Sequence, residues 1–274
     1  MELREFALRV VKSASIDEKL AHPPKLTDRD SGPPMRLDRP GRPDNLRIVP
    51  AQEARIPSIE GFQDLQQRQK IIHSFANHEL QAVELFAWAL LAFPDAPSEF
   101  RMGLLNVLKD EQRHSRMYRA RLADWNIDLG HYPVTGYFWN KVEGLESPLH
   151  FVCAMSLTFE NANLDHTVDY SSEAQRLGDT KTAALISQIH IDEIEHVRFG
   201  WSWLLKLKPP SQTPWDAYCA NVSWPLRPSL ARGERFHQSG RVAAGLDPEF
   251  IRLLEQSKRQ AEGKHGGRIR RHER

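Results

Sequence analysis

Apolar positions along this chain fall into two textures. From about Phe62 to Phe93, Phe100 to Trp125, Leu149 to Leu177 and Ala183 to Leu207 they recur every three or four residues, almost without Pro or Gly. That is the period of a helix with one buried face. Three breaks divide these stretches: PDAP at Pro94 to Pro97, the long segment from Asp128 to Pro148, and Gly178-Asp179-Thr180. Two short connections flank one long one, which predicts an all-α fold of two antiparallel helix pairs joined by a crossover.

The flanks read differently. A first helix is expected at about residues 2 to 20, and the eight prolines between residues 21 and 60 predict an extended arm. Beyond Pro209-Pro210 come a short apolar segment around Trp215 to Trp224 and a helix opening at Asp247, which can cap it, with Pro248 in its first turn. The final GKHGGRIRRHER has no interleaved aromatic residues and reads as a solvated basic tail. The chain therefore divides into helix and arm (1–60), bundle (61–208) and C-terminal extension (209–274).

Carboxylates interrupt the apolar stripes. In the first long helix the inward face is Ile72, Phe75, Ala76, Glu79, Val83, Phe86 and Leu90; in the third it is Val152, Ser156, Glu160, Leu164, Thr167 and Tyr170. Glu84 lies about 140° round from Glu79 and faces elsewhere. The second helix presents Leu104, Leu108, Glu111, His114, Ser115 and Tyr118, and the fourth Ile186, Ile189, Glu193, His196, Val197 and Gly200. Glu-x-x-His occurs four times in the chain. Only Glu111/His114 and Glu193/His196 lie in long helical patterns, and both follow an Asp, as DEQRH and DEIEH; Glu234/His237 and Glu262/His265 do not.

Each residue adds about 1.5 Å along a helix, so positions equidistant from a hairpin turn lie at one height. Asp95, in the first turn, is midway between Glu79 and Glu111, and Leu177, beside the last turn, is next to the midpoint of Glu160 and Glu193. The two spacings, 32 and 33 residues, make the chain a twofold internal repeat. Four carboxylates and two imidazoles at one level of an apolar core need neutralising, because burying a lone carboxylate costs several kcal/mol. Two metal ions would do so. A Glu from each of two helices with Glu-x-x-His from each of the other two is a di-iron or di-manganese arrangement, and oxygen donors with only two imidazoles favour iron or manganese over zinc.

Composition sets limits. The 274 residues, 40% of them hydrophobic, suffice for one domain with extensions. A net charge of +1 gives no reason to expect nucleic acid. Cys153 and Cys219 cannot make a disulfide framework or a four-thiolate site by themselves, and a reduced cytoplasm is the expected compartment. The N-terminus does not read as a signal peptide, and the longest apolar run, Leu85 to Phe93, falls far short of the roughly 20 residues that span a bilayer.

At NHELQAVELFAWALLAFPDAP, DEQRHSRMY, LTFENANLDH and IHIDEIEHVRFGW the chain resembles an uncharacterised ferritin-like family of unknown function and, more distantly, the diiron carboxylate superfamily. The resemblance covers roughly Phe62 to Leu207, with weaker echoes in RPSLARGERF and AGLDPEF. It implies a ferritin-like four-helix bundle holding two iron ions, with manganese the alternative. Glu79-Leu80-Gln81-Ala82 matches the Glu-Leu-x-Ala segment of bacterioferritin-like proteins and favours Glu79 over Glu84 as a ligand. By resemblance Glu79 and Glu160 are terminal ligands, Glu111 and Glu193 bridge, and His114 and His196 supply imidazoles. Asp110 is then expected to orient His196, and Asp192 to orient His114. Glu84 and Asp165, each five residues after a ligand Glu, read as polar residues on solvated or inter-helix faces.

The chain also departs from its relatives. It lacks the four-cysteine site of rubrerythrin-like proteins and the extra Glu of peroxide-reducing members, and it carries an arm that storage ferritins lack. The leading expectation is an oxygen-activating oxidase or hydroxylase, with no catalytic residue assigned beyond the metal site. Iron handling as a ferroxidase, and a non-catalytic metallated interaction module, are the alternatives. Expected partners are dioxygen, a small-molecule substrate and an electron donor, with no membrane and no nucleic acid; a homodimer is left open. Tyr132, Tyr137, Phe138 and Trp139 in the crossover read as packing, with cover of a substrate pocket as the alternative.

Overall fold

The computed structural model describes residues 1–29, 32–222 and 225–257. Among them the protein is all-helical, with no strand beyond two isolated bridges, Glu2 to Thr27 and Ile48 to Val134. The basic tail, together with Trp224 of the short apolar segment, lies outside the described residues. No helix among those described is long and apolar enough to cross a membrane.

Two long hairpins form the centre. Helices α3 (Leu65–Ala92) and α4 (Ser98–Ala123) pack along their length, as do α6 (Asn161–Arg176) and α7 (Thr180–Leu207), and α4 packs on α7. Local chemistry sets the boundaries. Asp64 caps α3 by accepting from the Gln67 N–H, and Asp179 caps α7 by accepting from Thr182. Between α6 and α7, Gly178 adopts a left-handed conformation (φ +76°), which needs no Cβ penalty there.

The third long element is not one helix, contrary to its uniform period. It comprises α5 (Pro148–Ala154), one stretch of π-helix (Met155–Glu160) and α6. The Thr158 hydroxyl donates to the Cys153 carbonyl five residues back (2.7 Å), serving an acceptor within the widened turn. The wide turn is packed against α7 at Gly200, where a Cβ would come within 2.2 Å of the Ser156 Cβ. Its inserted residue sets the rotation at which Glu160 leaves the turn, and such turns are frequent at functional sites.

The expected N-terminal helix is also divided, into α1 (Leu3–Lys12) and α2 (Ile16–Leu20), because Ser13 is extended and Ser15 caps the second piece. The Pro-rich arm packs on the body: Met35 N–H donates to the Leu91 carbonyl, and the Trp88 indole donates to that of Leu37. With α1 and the arm outside it, α3 buries every residue from Ile71 to Ala92 except Phe75 and His78. Beyond α7 come α8 (Pro214–Ala220), α9 (Gln238–Ala243) and α10 (Pro248–Gln256), the last capped by Asp247.

Candidate metal centre

Glu79 on α3, Glu111 and His114 on α4, Glu160 at the end of the π turn, and Glu193 and His196 on α7 are all buried and meet at one level. They form two overlapping groups, Glu79/Glu111/His114/Glu193 and Glu111/Glu160/Glu193/His196, and within each group the donor atoms lie within 4.8 Å of one another. Glu111 and Glu193 belong to both. That sharing suits a carboxylate between two cations.

The imidazoles are held from behind by the opposite hairpin. His114 Nε2 lies 3.1 Å from Asp192 Oδ2, and His196 Nε2 lies 3.4 Å from Asp110 Oδ2. A carboxylate on Nε2 leaves Nδ1 of each ring facing inward: His114 Nδ1 is 3.5 Å from both Glu79 and Glu111, and His196 Nδ1 is 3.1 Å from Glu111 and 3.6 Å from Glu193. The sequence reading missed what joins the two pairs. Arg113 contacts Asp110 (2.7 Å) and Asp192 (3.0 Å) together. The equivalent position of the other motif is Glu195, which pairs with Arg198; one arginine already serves both aspartates.

Unpartnered atoms test whether this chemistry fits a metal. Among the described residues, both Glu160 oxygens, Oε2 of Glu111 and of Glu193, and Nδ1 of both histidines are buried without a hydrogen-bond partner. Buried polar atoms are nearly always paired, and here six orphans point at common centres. These residues could hold metal ions.

Electrostatics agree with that reading. Burial, with Glu111 beside it, lifts the Glu79 carboxyl well above its ordinary range, and burial pushes Glu160 up to about 8. Burial opposes charge on His114 and His196 too, but the carboxylates around them outweigh it and hold both well above the usual imidazole value. Without a metal ion, protons supply the positive charge. Asp192, although partly buried, is drawn down to about 2 by His114 and Arg113, so it is a permanent anion at neutral pH.

The family described as "Protein of unknown function (DUF455)" matches residues 5–252. The chain belongs to the DUF455 family. The match runs from α1 into α10, so the DUF455 unit takes in the arm and the C-terminal helices as well as the two hairpins. No curated protein and no solved structure matches the chain.

Glu84 and Asp165 fall outside the centre and are wholly buried, which removes the solvated-face reading of either. Glu84 accepts from Nε and Nη2 of Arg42 (2.9 and 2.7 Å) and from the Trp139 indole (2.9 Å), and Lys19 lies 3.1 Å away. Asp165 accepts from Arg241 (2.7 and 2.9 Å) and from the backbone N–H groups of Gly233 and His237. In this DUF455 chain Glu79 and Glu160 at the centre are thus each followed, five residues on, by a carboxylate that binds an extension.

A cavity of about 280 Å³ adjoins the centre, bounded by Glu79, Glu111, Glu160 and Glu193 on one side. Tyr137 and Phe138 from the crossover, with Phe159 from the π turn, line its other side. Tyr132 and Trp139, grouped with them by sequence, do not: Tyr132 packs on His73, and Trp139 serves Glu84. Asn163 also lines the cavity, and its amide donates to Glu193 (3.0 Å).

Proposed function

We propose that the protein is a ferritin-like diiron oxidoreductase, an oxidase or hydroxylase, acting on a small organic substrate in the cavity beside the centre. In this reading the hairpins α3/α4 and α6/α7, with α5 and the π turn continuing the third helix, form the ferritin-like bundle. Glu79, Glu111, Glu160 and Glu193 would hold the ions together with Nδ1 of His114 and of His196, with Glu111 and Glu193 common to both donor groups. Two bound iron ions would supply the redox chemistry of dioxygen reduction.

The chain's own residues supply geometry and shelter. Asp110 and Asp192 fix the imidazole tautomers, and Arg113 keeps both aspartates charged and in place. Asn163 steadies Glu193. Phe138 and Phe159, stacked with ring centroids 4.4 Å apart, keep water from the cavity side.

The observation that carries the reading is the pair of donor groups sharing Glu111 and Glu193, with six unpartnered atoms among them. The cavity against that pair favours chemistry on an organic molecule over storage. Anaerobic protein titrated with ferrous iron should bind about two ions per chain, as a di-iron centre requires. On exposure to dioxygen it should oxidise those and stop unless a reductant is added. Binding below one ion per folded chain removes the metal reading; continued uptake into a mineral, with no break near two, moves the assignment to iron storage.

A further inference from the structure

A second cavity, of about 390 Å³, lies where the arm and the crossover meet α3. Its floor is a polar strip of that helix, His73, Ser74 and Asn77, exposed by only 1%, 8% and 2%. The acceptor atoms of this floor are already engaged. Nε2 of His73 accepts from the Gly130 N–H (3.0 Å), and Oδ1 of Asn77 accepts from Arg42 (2.8 Å). A backbone N–H can only donate, so the neutral His73 ring carries its proton on Nδ1. Neither that N–H nor the Ser74 hydroxyl has a hydrogen-bond partner among the described residues, and neither is sealed from open space. Buried polar groups are nearly always paired; these two are left to the cavity.

The rim adds charge of one dominant sign. Arg55 and Lys70 line the cavity, and neither forms an ion pair among the described residues; Lys70 lies instead over the Tyr132 ring, 5.7 Å from its centroid. Glu53 also lines the cavity, but it is exposed. A cation entering here would find its acceptors on the floor taken and two positive side chains beside it. An anion would find two buried donors and two unpaired cations. Four donors suit the three terminal oxygens of a phosphate better than the two of a carboxylate. At about 30 Å³ per water-sized group, the space holds roughly thirteen non-hydrogen atoms. Gln52, Gln66 and Thr135 make the rest of the lining largely polar, which suits a hydroxylated body.

We propose that this cavity binds a small phosphate monoester with a sugar-like or polyol body, its phosphate held by Nδ1–H of His73, the Ser74 hydroxyl, Lys70 and Arg55. The site shares no residue with the metal centre and stands apart from the proposed diiron function.

The test is calorimetric titration of metal-free, full-length protein in phosphate-free buffer with glycerol 3-phosphate, ribose 5-phosphate and inorganic phosphate, and with ribose and malate as the neutral and the carboxylate comparisons. At least one ester should bind, at least tenfold more tightly than ribose or malate. Lys70→Gln and Arg55→Gln should each weaken that binding several-fold, and His73→Phe, which removes the buried donor, should nearly abolish it. Glu53→Gln should tighten it, while Lys181→Gln, a cation outside the cavity, should leave it unchanged. Lys70→Gln and Arg55→Gln, at half-buried and exposed positions, serve if His73→Phe fails to fold. The inference is overturned if neither ester binds folded protein, if malate binds as tightly, or if the cavity substitutions do no more than Lys181→Gln. Weaker binding in Glu53→Gln would overturn it by showing that the site prefers positive charge. Inorganic phosphate that binds more tightly than either ester would leave an ion site with no place for the body, and overturns it too.

Discussion

Glu79 and Glu84 lie five residues apart on the same buried helix in opposite electrostatic surroundings. Glu79 faces three other carboxylates across a gap that invites cations, whereas Glu84 meets Lys19 and Arg42. Glu79→Ala should therefore abolish binding at one of the two ion positions while leaving metal-free stability unchanged or raised. Glu84→Ala should keep the metal stoichiometry of the folded fraction but cost about 3 to 5 kcal/mol, because it strands two buried cations. Iron titration and chemical denaturation of both variants decide this; equal loss of iron from each would refute the division of roles.

Arg113 predicts coupling between the two histidines. Asp192→Asn should weaken metal binding or slow ferrous oxidation roughly 10- to 100-fold, the usual scale for losing a ligand's supporting carboxylate. Arg113→Gln should loosen both Asp–His pairs and so weaken both ions together, while Glu195→Gln, at the matching position of the other motif, should be silent. Stepwise ferrous titration resolves the ions. Loss confined to one of them in Arg113→Gln would argue against a shared clamp.

Proton release accompanies metal uptake in this scheme. His114, His196, Glu79 and Glu160 all have pKa values raised in the metal-free protein, and ligands must shed protons to bind. Protons therefore compete with metal: affinity should fall as pH falls and rise as it rises. Loading with ferrous iron at pH 7 in weak buffer should liberate on the order of two or more protons per chain. A pH-stat trace with no release would contradict the protonated resting state.

His73 predicts acid sensitivity away from the centre. Burial, with His131 adding repulsion, lowers its pKa to about 4, and its Nε2 accepts from the Gly130 N–H at 3.0 Å. A folded-state value below the unfolded one leaves stability intact above about pH 6.5 and erodes it as pH falls from there toward 4. The loss should be about 2 kcal/mol at pH 5. His73→Gln, which keeps an acceptor but cannot titrate, should show a flatter stability profile in urea melts at pH 7.5 and pH 5. Parallel profiles for the two proteins would mean that His73 does not titrate as described.

Helical period and hairpin symmetry were enough to place Glu79, Glu111, His114, Glu160, Glu193 and His196 on inward faces, and the structure buries all six together. What escaped that reading depends on partners remote in sequence. Glu84 and Asp165 look like ordinary polar residues until Arg42 and Arg241 arrive from the arm and from α9. The π turn escaped because Ser156 and Glu160 keep a helical spacing in the sequence, while the extra residue shows only in the backbone. Arg113 stood inside the quoted DEQRH motif. Its asymmetry with Glu195 was visible, but its meaning needed the distance to Asp192.

The two latches at Glu84 and Asp165 differ in the order of synthesis. Lys19 and Arg42 precede Glu84 in the chain, so the first hairpin emerges with its counter-charges already made. Asp165 is made 76 residues before Arg241. At about 5 to 20 residues per second, that leaves it without its partner for roughly 4 to 15 s. The second hairpin cannot bury Asp165 against its guanidinium until the C-terminal extension has been translated, so a ribosome stalled in that interval would expose half of the centre.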